Sequence, residues 1–220
     1  MLLAAGAFAG TWLAPRSVHE GPSAFAPAEP GTFPGPVAGD AAPAGFLYRL
    51  ELDLADRMPE LDAATRRTLA RTVVAEAANA RIDPLLVLAL IDVESSFHST
   101  ARSHRGAKGL MQLREATMRR ERERAGLPPA DPHDPIANVQ SGVRYLRRLL
   151  DAFGREELAL MAYNAGPNRI AGYLRDGEIP SRFRVYPRKV RSEQRRLRDS
   201  LGTGPEMAQA SLTAPAAAAR

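Results

Sequence analysis

An apolar helix in the middle of the chain constrains the fold more than any other feature. Asp83 is a favourable N-cap, Pro84 suits the first helical position, and residues 85–93 are apolar on almost every side. A helix that lacks a polar face has to be covered by other elements. We therefore expect this helix to be buried.

Two carboxylates stand near the end of this helix. Asp92 and Glu94 are two residues apart, so they point to different faces. The helix dipole is negative there and burial disfavours a charge, so we predict a raised pKa for Glu94. A general acid working near neutrality needs such a pKa, which makes Glu94 the candidate catalytic residue. The alternative is a solvated carboxylate where a core helix reaches the surface.

Two further motifs follow Glu94 along the chain, and the order and spacing of the set matter more than any one of them. The three motifs are Glu94-Ser95, then Ser103-x-x-Gly106-Ala107-x-Gly109-Leu110-Met111-Gln112, then Ala162-Tyr163-Asn164-Ala165-Gly166-Pro167. Together they resemble the soluble lytic transglycosylases, goose-lysozyme-like enzymes that cleave bacterial peptidoglycan. The resemblance covers roughly residues 77–190.

The resemblance implies roles for the residues around Glu94. Glu94 would be the catalytic acid and base, with Ser95 paired to it; Ser95 is read equally well as a helix-end hydroxyl that bonds locally. Ser103 and Gln112 would line the sugar cleft, where a hydroxyl and an amide suit hydrogen bonds to N-acetyl and hydroxyl groups. The alternative for Gln112 is a side chain that bonds loop backbone.

Four more positions match the family. Met111 would pack a sugar face or fill the core, and Tyr163 would lie near the catalytic carboxyl or have a structural role. Asn164 would shape the turn that follows. The family usually has an acidic residue and Thr before a Tyr that opens the last helix; residues 179–186 lack that pair but keep the tyrosine, Tyr186.

Glycosidases normally use two carboxylates, but only Glu94 stands in a motif here. The other available acids have no distinguishing context: Asp92, Glu115, Asp131, Asp134 and Glu178.

In the family, the glutamate protonates the β-1,4 glycosidic oxygen between N-acetylmuramic acid and N-acetylglucosamine, and the sugar's N-acetyl group stabilises the cation. The ionised glutamate then deprotonates the C6 hydroxyl, leaving a 1,6-anhydromuramoyl end. The alternatives are a goose-type lysozyme hydrolase and a non-catalytic murein-binding accessory protein of a secretion system.

The patterns along the chain predict one helical domain between two flanks. Residues 1–26 read as a signal peptide or an apolar N-terminal segment, 27–45 as a Pro/Ala/Gly-rich linker, 46–200 as the catalytic domain, and 201–220 as a disordered tail. Helices are expected over 62–81, 114–125, 134–154, 156–164 and 167–175, with a basic helix after Pro187. No hairpin signal is evident, so the class is all-α, and the resemblance implies a lysozyme-like (goose-type) domain with a substrate cleft.

Composition limits the kinds of site and partner. The chain has no cysteine and four histidines without ligand spacing, so a metal site is not expected. The mechanism that the resemblance implies needs no cofactor. The net charge of +5 suits several anionic partners, but the basic runs 114–124 and 182–198 lack the interleaved aromatics of a nucleic-acid groove. We expect a monomer without nucleic acid. The resemblance implies peptidoglycan strands as partner, a secretion or conjugation apparatus as a further one, and export to the periplasm or cell envelope.

Overall fold

The computed structural model describes residues 44–201, and eight α-helices carry most of this range. The helices are α1 Ala44–Arg57, α2 Ala63–Ala80, α3 Pro84–Ser95, α4 Glu115–Arg124, α5 Pro135–Phe153, α6 Glu156–Ala165, α7 Pro167–Arg175 and α8 Val185–Leu201. A 3-10 turn, Ser181–Arg184, precedes α8. The predicted all-α class is confirmed.

Helix α3 is the most completely buried element, as its sequence predicts. All seven residues from Leu85 to Ile91 are buried. Oδ1 of Asp83 accepts a hydrogen bond from the Leu85 amide at 2.9 Å, which caps the first turn. The helix ends at Ser95, because Ser96 and Phe97 adopt φ angles of 49° and 64°, outside the helical region.

The other helices cover α3 and one another. Helix α8 packs along α3, α2 lies against α1 and α5, and α6 lies against α5 and α7. Val190 and Leu197 of α8, seven residues apart and therefore on one face, are fully buried. This packing brings the N-terminal turn of α8 to the C-terminal end of α3, where Glu94 lies.

Helix α5 confirms its predicted start and end. Oδ1 of Asp134 accepts a hydrogen bond from the Ala137 amide at 2.7 Å, and the helix ends at Gly154 with a φ of 64°. The basic helix α8 begins at Val185, earlier than predicted, with Pro187 inside it. Proline fits there because first-turn amides have no partner within the helix.

A small two-stranded sheet is the element that the sequence analysis missed. Strand β1, Ala107–Lys108, pairs antiparallel with β2, Leu113–Arg114, and Ala107 faces Arg114. The prediction that the chain has no hairpin is therefore wrong. Strands of two residues are too short to show the alternating pattern by which strands are recognised.

The flanking segments lie almost wholly outside the described range. The predicted signal peptide or apolar segment 1–26, the linker up to residue 43 and the tail from residue 202 are not part of it. The last two residues of the predicted linker belong to α1. Between residues 44 and 201, no helix combines the length and apolar character that a bilayer crossing requires.

Candidate active site

The carboxyl group of Glu94 is held by a tyrosine that is distant in the sequence. Glu94 lies in the last turn of α3, and the hydroxyl of Tyr186, in the first turn of α8, donates a hydrogen bond to its Oε1. Its Oε2 makes no hydrogen bond to residues 44–201. The carboxyl therefore has one oxygen fixed by the protein and the other available to a ligand.

Burial raises the pKa of Glu94, as the sequence predicts. The hydrogen bond from Tyr186 and the positive charge of Lys189 act in the opposite direction and lower this pKa, but burial outweighs them. Within residues 44–201, no other carboxylate contributes to the shift. Glu94 is thus a single carboxylic acid, kept protonated to higher pH than usual, beside one lysine.

Asp92 faces away from this site, as the two-residue spacing predicts. Its Oδ2 accepts hydrogen bonds from Nη1 of Arg57 at 2.9 Å and from Nη2 of Arg196 at 3.0 Å. These ion pairs join α3 to α1 and α8. Asp92 therefore has a structural environment and is not a second acid beside Glu94.

Tyr163, in α6, lies close enough to Glu94 for the two groups to interact electrostatically. Its hydroxyl donates a hydrogen bond to the carbonyl oxygen of Met111 at 2.8 Å. Burial, followed by the nearby Glu94 carboxyl, raises the pKa of Tyr163 well above its usual value, so the phenol stays protonated. Tyr163 thus joins α6 to the loop that contains β1 and β2.

Ser103 and Gln112 both hold the backbone of that loop. The Ser103 Oγ accepts a hydrogen bond from the Ala107 amide at 3.0 Å. Nε2 of Gln112 donates to the carbonyls of Ala101, at 3.1 Å, and Gly109, at 2.9 Å. Gln112 has a φ of 46°, which is rare outside glycine, so these bonds offset a strained backbone. The predicted sugar contacts of both residues stay predictions.

The side chain of Met111 belongs to the core. It is fully buried, which favours its reading as core filler. The predicted contact with a sugar face stays a prediction. Gly142 of α5 provides the space, since a Cβ at this position would lie 2.3 Å from Sδ of Met111. Met111 therefore anchors the β1–β2 loop to α5.

Asn138 is the supporting residue that the sequence analysis missed. It is fully buried in α5, and its Oδ1 accepts a hydrogen bond from the Met111 amide at 2.8 Å. Its Nδ2 donates to the carbonyls of Lys108 at 3.0 Å and Pro132 at 2.8 Å. The available signal was an amide side chain between the apolar residues Ala137 and Val139 of a predicted helix, because buried polar side chains need partners.

With this geometry in place, comparison with known proteins identifies the family. Residues 71–180 match the family model described as the transglycosylase SLT domain. The chain belongs to this family. The SLT match contains Glu94, the β1–β2 loop and Tyr163, whereas Tyr186 lies beyond its end.

Curated relatives of this SLT chain include a phage protein and a bacterial enzyme. The transglycosylase of Enterobacteria phage PRD1 is 34% identical over 119 residues, which are 54% of this chain and 40% of the relative. The soluble lytic murein transglycosylase of Escherichia coli K12 is 32% identical over 92 residues, 40% of this chain and 14% of the relative. The chain thus spans less than half the length of either relative.

Solved structures of SLT proteins share the fold. An inactive glutamate-to-glutamine mutant of the lytic transglycosylase Slt from Pseudomonas aeruginosa has a TM-score of 0.55 and 30% identity, with 68% of this chain and 26% of that chain covered. The 70 kDa soluble lytic transglycosylase of Escherichia coli has a TM-score of 0.55 and 23% identity, covering 72% of this chain and 29% of that chain. The lysozyme-like fold predicted for the chain is confirmed.

The two remaining positions of the SLT motifs differ in environment. Ser95 is buried, and its Oγ donates to the Ile91 carbonyl at 3.0 Å, the local bond that was one of its two readings. Asn164 is exposed in the last turn of α6, and the chain turns at Gly166, where φ is 93°. Because that φ favours glycine, the turn depends on Gly166 more than on Asn164.

Proposed function

We propose that the chain is a peptidoglycan lytic transglycosylase that cleaves the β-1,4 bond between N-acetylmuramic acid and N-acetylglucosamine. The observation that carries the proposal is the single carboxyl group of Glu94, which is half-buried, held at Oε1 by Tyr186 and open at Oε2. The names of the relatives, lytic and murein transglycosylases among them, support the same reaction class.

The acid step uses the raised pKa of Glu94. Because burial favours the neutral carboxylic acid, Glu94 carries a proton at pH values where an exposed glutamate has lost it. The free Oε2 donates this proton to the glycosidic oxygen while the bond from that oxygen to C1 of the muramoyl sugar breaks. The substrate's own N-acetyl group stabilises the positive charge that develops at C1.

The base step uses the groups that favour the ionised form. The hydrogen bond from Tyr186 and the charge of Lys189 both stabilise the Glu94 carboxylate left by the first step. This carboxylate takes the proton of the C6 hydroxyl, and O6 forms a bond to C1. The 1,6-anhydro ring closes, Glu94 regains its proton, and no water is consumed.

A hydrolase of the goose lysozyme type would need a second carboxylate to hold the attacking water. Asp92, the nearest acid in sequence, is engaged by Arg57 and Arg196 on the other side of α3. Glu115 is exposed and pairs with Lys108. Neither acid is suited to orienting water beside Glu94, which favours the transglycosylase over the hydrolase.

Release of soluble muropeptides from purified sacculi tests the proposal. We expect wild-type protein to release them and Glu94→Gln to be at least about a thousandfold slower, because the amide removes both proton roles. Glu178→Gln is the matched control, since it makes the same chemical change at an exposed site. Circular dichroism verifies that both variants are folded. Near-wild-type release by Glu94→Gln would refute the assignment.

The proposed substrate also implies where the protein acts. Murein lies in the periplasm and cell envelope, so we propose that the chain is exported to that compartment. A secretion or conjugation apparatus that needs local opening of murein is a further proposed partner. The transglycosylase of a bacteriophage among the relatives is compatible with such local cleavage.

A further inference from the structure

Most of the basic side chains that help dock α8 are already paired with acids. Nε of Arg191 lies 3.3 Å from Oε1 of Glu156 in α6, and Nη2 of Arg198 lies 2.9 Å from Oδ2 of Asp83 at the start of α3. Arg196 pairs with Asp92, as described above. These ion pairs fasten α8 to its neighbours, so their charge is not available to a ligand.

Lys189 is different from these arginines. It is exposed and makes no ion pair or hydrogen bond with residues 44–201. It follows Tyr186 by three residues, so the two side chains lie on the same face of α8, the face that meets Glu94. Lys189 is therefore a free cation beside the candidate catalytic carboxyl, near enough to act on it electrostatically but not bonded to it.

Arg188 shows that this placement is specific. It is the preceding residue, is equally exposed, and is also unpaired within the described range. It is two residues after Tyr186, which places it on the other side of the helix, and it does not contribute to the pKa shift of Glu94. The chain thus offers a matched control for the charge of Lys189.

We propose that Lys189 binds a carboxylate of the substrate beside the bond that Glu94 cleaves, an inference that rests on the proposed function. The acetamido and hydroxyl groups next to that bond are neutral. The anionic groups are the lactyl carboxylate of a peptide-free muramoyl residue and the carboxylates of a peptide stem attached in its place. A lysine with a flexible stem and three donors can reach such a group from its exposed position beside Glu94.

This contact would favour substrates in which the sugar next to Lys189 is a muramoyl residue, because N-acetylglucosamine has no carboxylate. Because Lys189 stands clear of Glu94, a substrate carboxylate can bind the ammonium without displacing an existing ion pair. The lysine then acts as a specificity residue, and its interaction with the substrate weakens as salt rises.

Binding measurements in the Glu94→Gln background test this inference without turnover. Isothermal titration of the full chain uses three synthetic glycan strands that differ in the lactyl group, which is a free carboxylate, a neutral carboxamide or an amide-linked peptide stem with carboxylates. Adding Lys189→Met should weaken binding of at least one carboxylate strand about fivefold or more, and binding of the carboxamide strand less than twofold. Adding Lys189→Arg should restore most of the loss.

Control measurements separate the proposed role of Lys189 from the proposed function of the chain. Arg188→Met in the same background should change binding of every strand less than twofold. Which carboxylate strand loses affinity identifies the source of the carboxylate, lactyl or stem. An equal loss on all three strands, or no loss on any, would overturn the role of Lys189. If the Glu94→Gln parent bound none of the strands, the proposed function itself would fail, and this inference with it.

Discussion

The hydroxyl of Tyr186 donates a hydrogen bond to Oε1 of Glu94, and this bond joins residues 92 positions apart in the sequence. It links the first turn of α8 to the last turn of α3. The candidate catalytic carboxyl therefore depends on how α8 is docked, and the ion pairs that hold α8 contribute indirectly to the site. The bond also leaves Oε2 as the oxygen that can meet a glycosidic bond.

Replacing Tyr186 with phenylalanine tests this relationship. A hydrogen bond to a charged acceptor contributes about 1.5–3 kcal/mol, so kcat/KM on murein should fall about ten- to a hundredfold. Because the bond lowers the pKa of Glu94, its loss raises that pKa. The high-pH limit of activity, where Glu94 loses its proton, should move to higher pH. Tyr173→Phe is the control, since its hydroxyl contacts Arg182 instead; equal effects of both replacements would contradict the account.

The raised pKa of Glu94 also predicts how stability depends on pH. Above the unfolded-state pKa of about 4.3, the native protein binds more protons at Glu94 than the unfolded chain, so stability is lost as pH rises through the native pKa. Glu94→Gln does not titrate. Its Tm should match wild type near pH 4 and exceed it near pH 8. Glu178→Gln is the control for the loss of one negative charge. If the Tm of Glu94→Gln did not exceed that of wild type at high pH, burial would not raise the pKa of Glu94.

Asn138 should be among the most sensitive positions in the fold. Asn138→Ala removes the partners of three backbone groups around the β1–β2 loop, which should cost about 2–5 kcal/mol of unfolding free energy. Ser141→Ala, one turn later in α5, removes a buried hydroxyl that bonds only its own helix, at Ala137, and should cost about 1 kcal/mol or less. Urea denaturation measures both. Similar losses would mean that Asn138 does not support the loop as described.

Local signals in the sequence predicted most of the helices and the environment of Glu94, whose catalytic role stays a prediction. Asp83 was a predictable cap because its side chain can accept a hydrogen bond from a first-turn amide and a proline and an apolar run follow it. The opposite orientations of Asp92 and Glu94 follow from helical geometry alone. The raised pKa of Glu94 follows from placing a carboxyl at the end of a buried helix.

Features that depend on contacts between distant segments were not predictable in this way. The burial of Met111 depends on the space left by Gly142, 31 residues further on, and two-residue strands carry no recognisable pattern. Lys189 became distinctive only in the structure, where it lies on the side of α8 that faces Glu94 and has no ion pair, whereas Arg191 and Arg198 are paired. The sequence shows a run of basic residues there, but not which of them are neutralised by acids from other helices.

The most direct test of the proposed mechanism is digestion of sacculi in ¹⁸O-labelled water, with the new glycan ends analysed by mass spectrometry. Because no second carboxylate among residues 44–201 acts on Glu94, we expect the substrate's C6 hydroxyl to outcompete water through its high effective concentration, on the order of 10⁵ M or more against about 55 M for water. The account predicts products dominated by unlabelled 1,6-anhydromuropeptides. Incorporation of ¹⁸O at the reducing ends of most products would contradict it and establish a hydrolase.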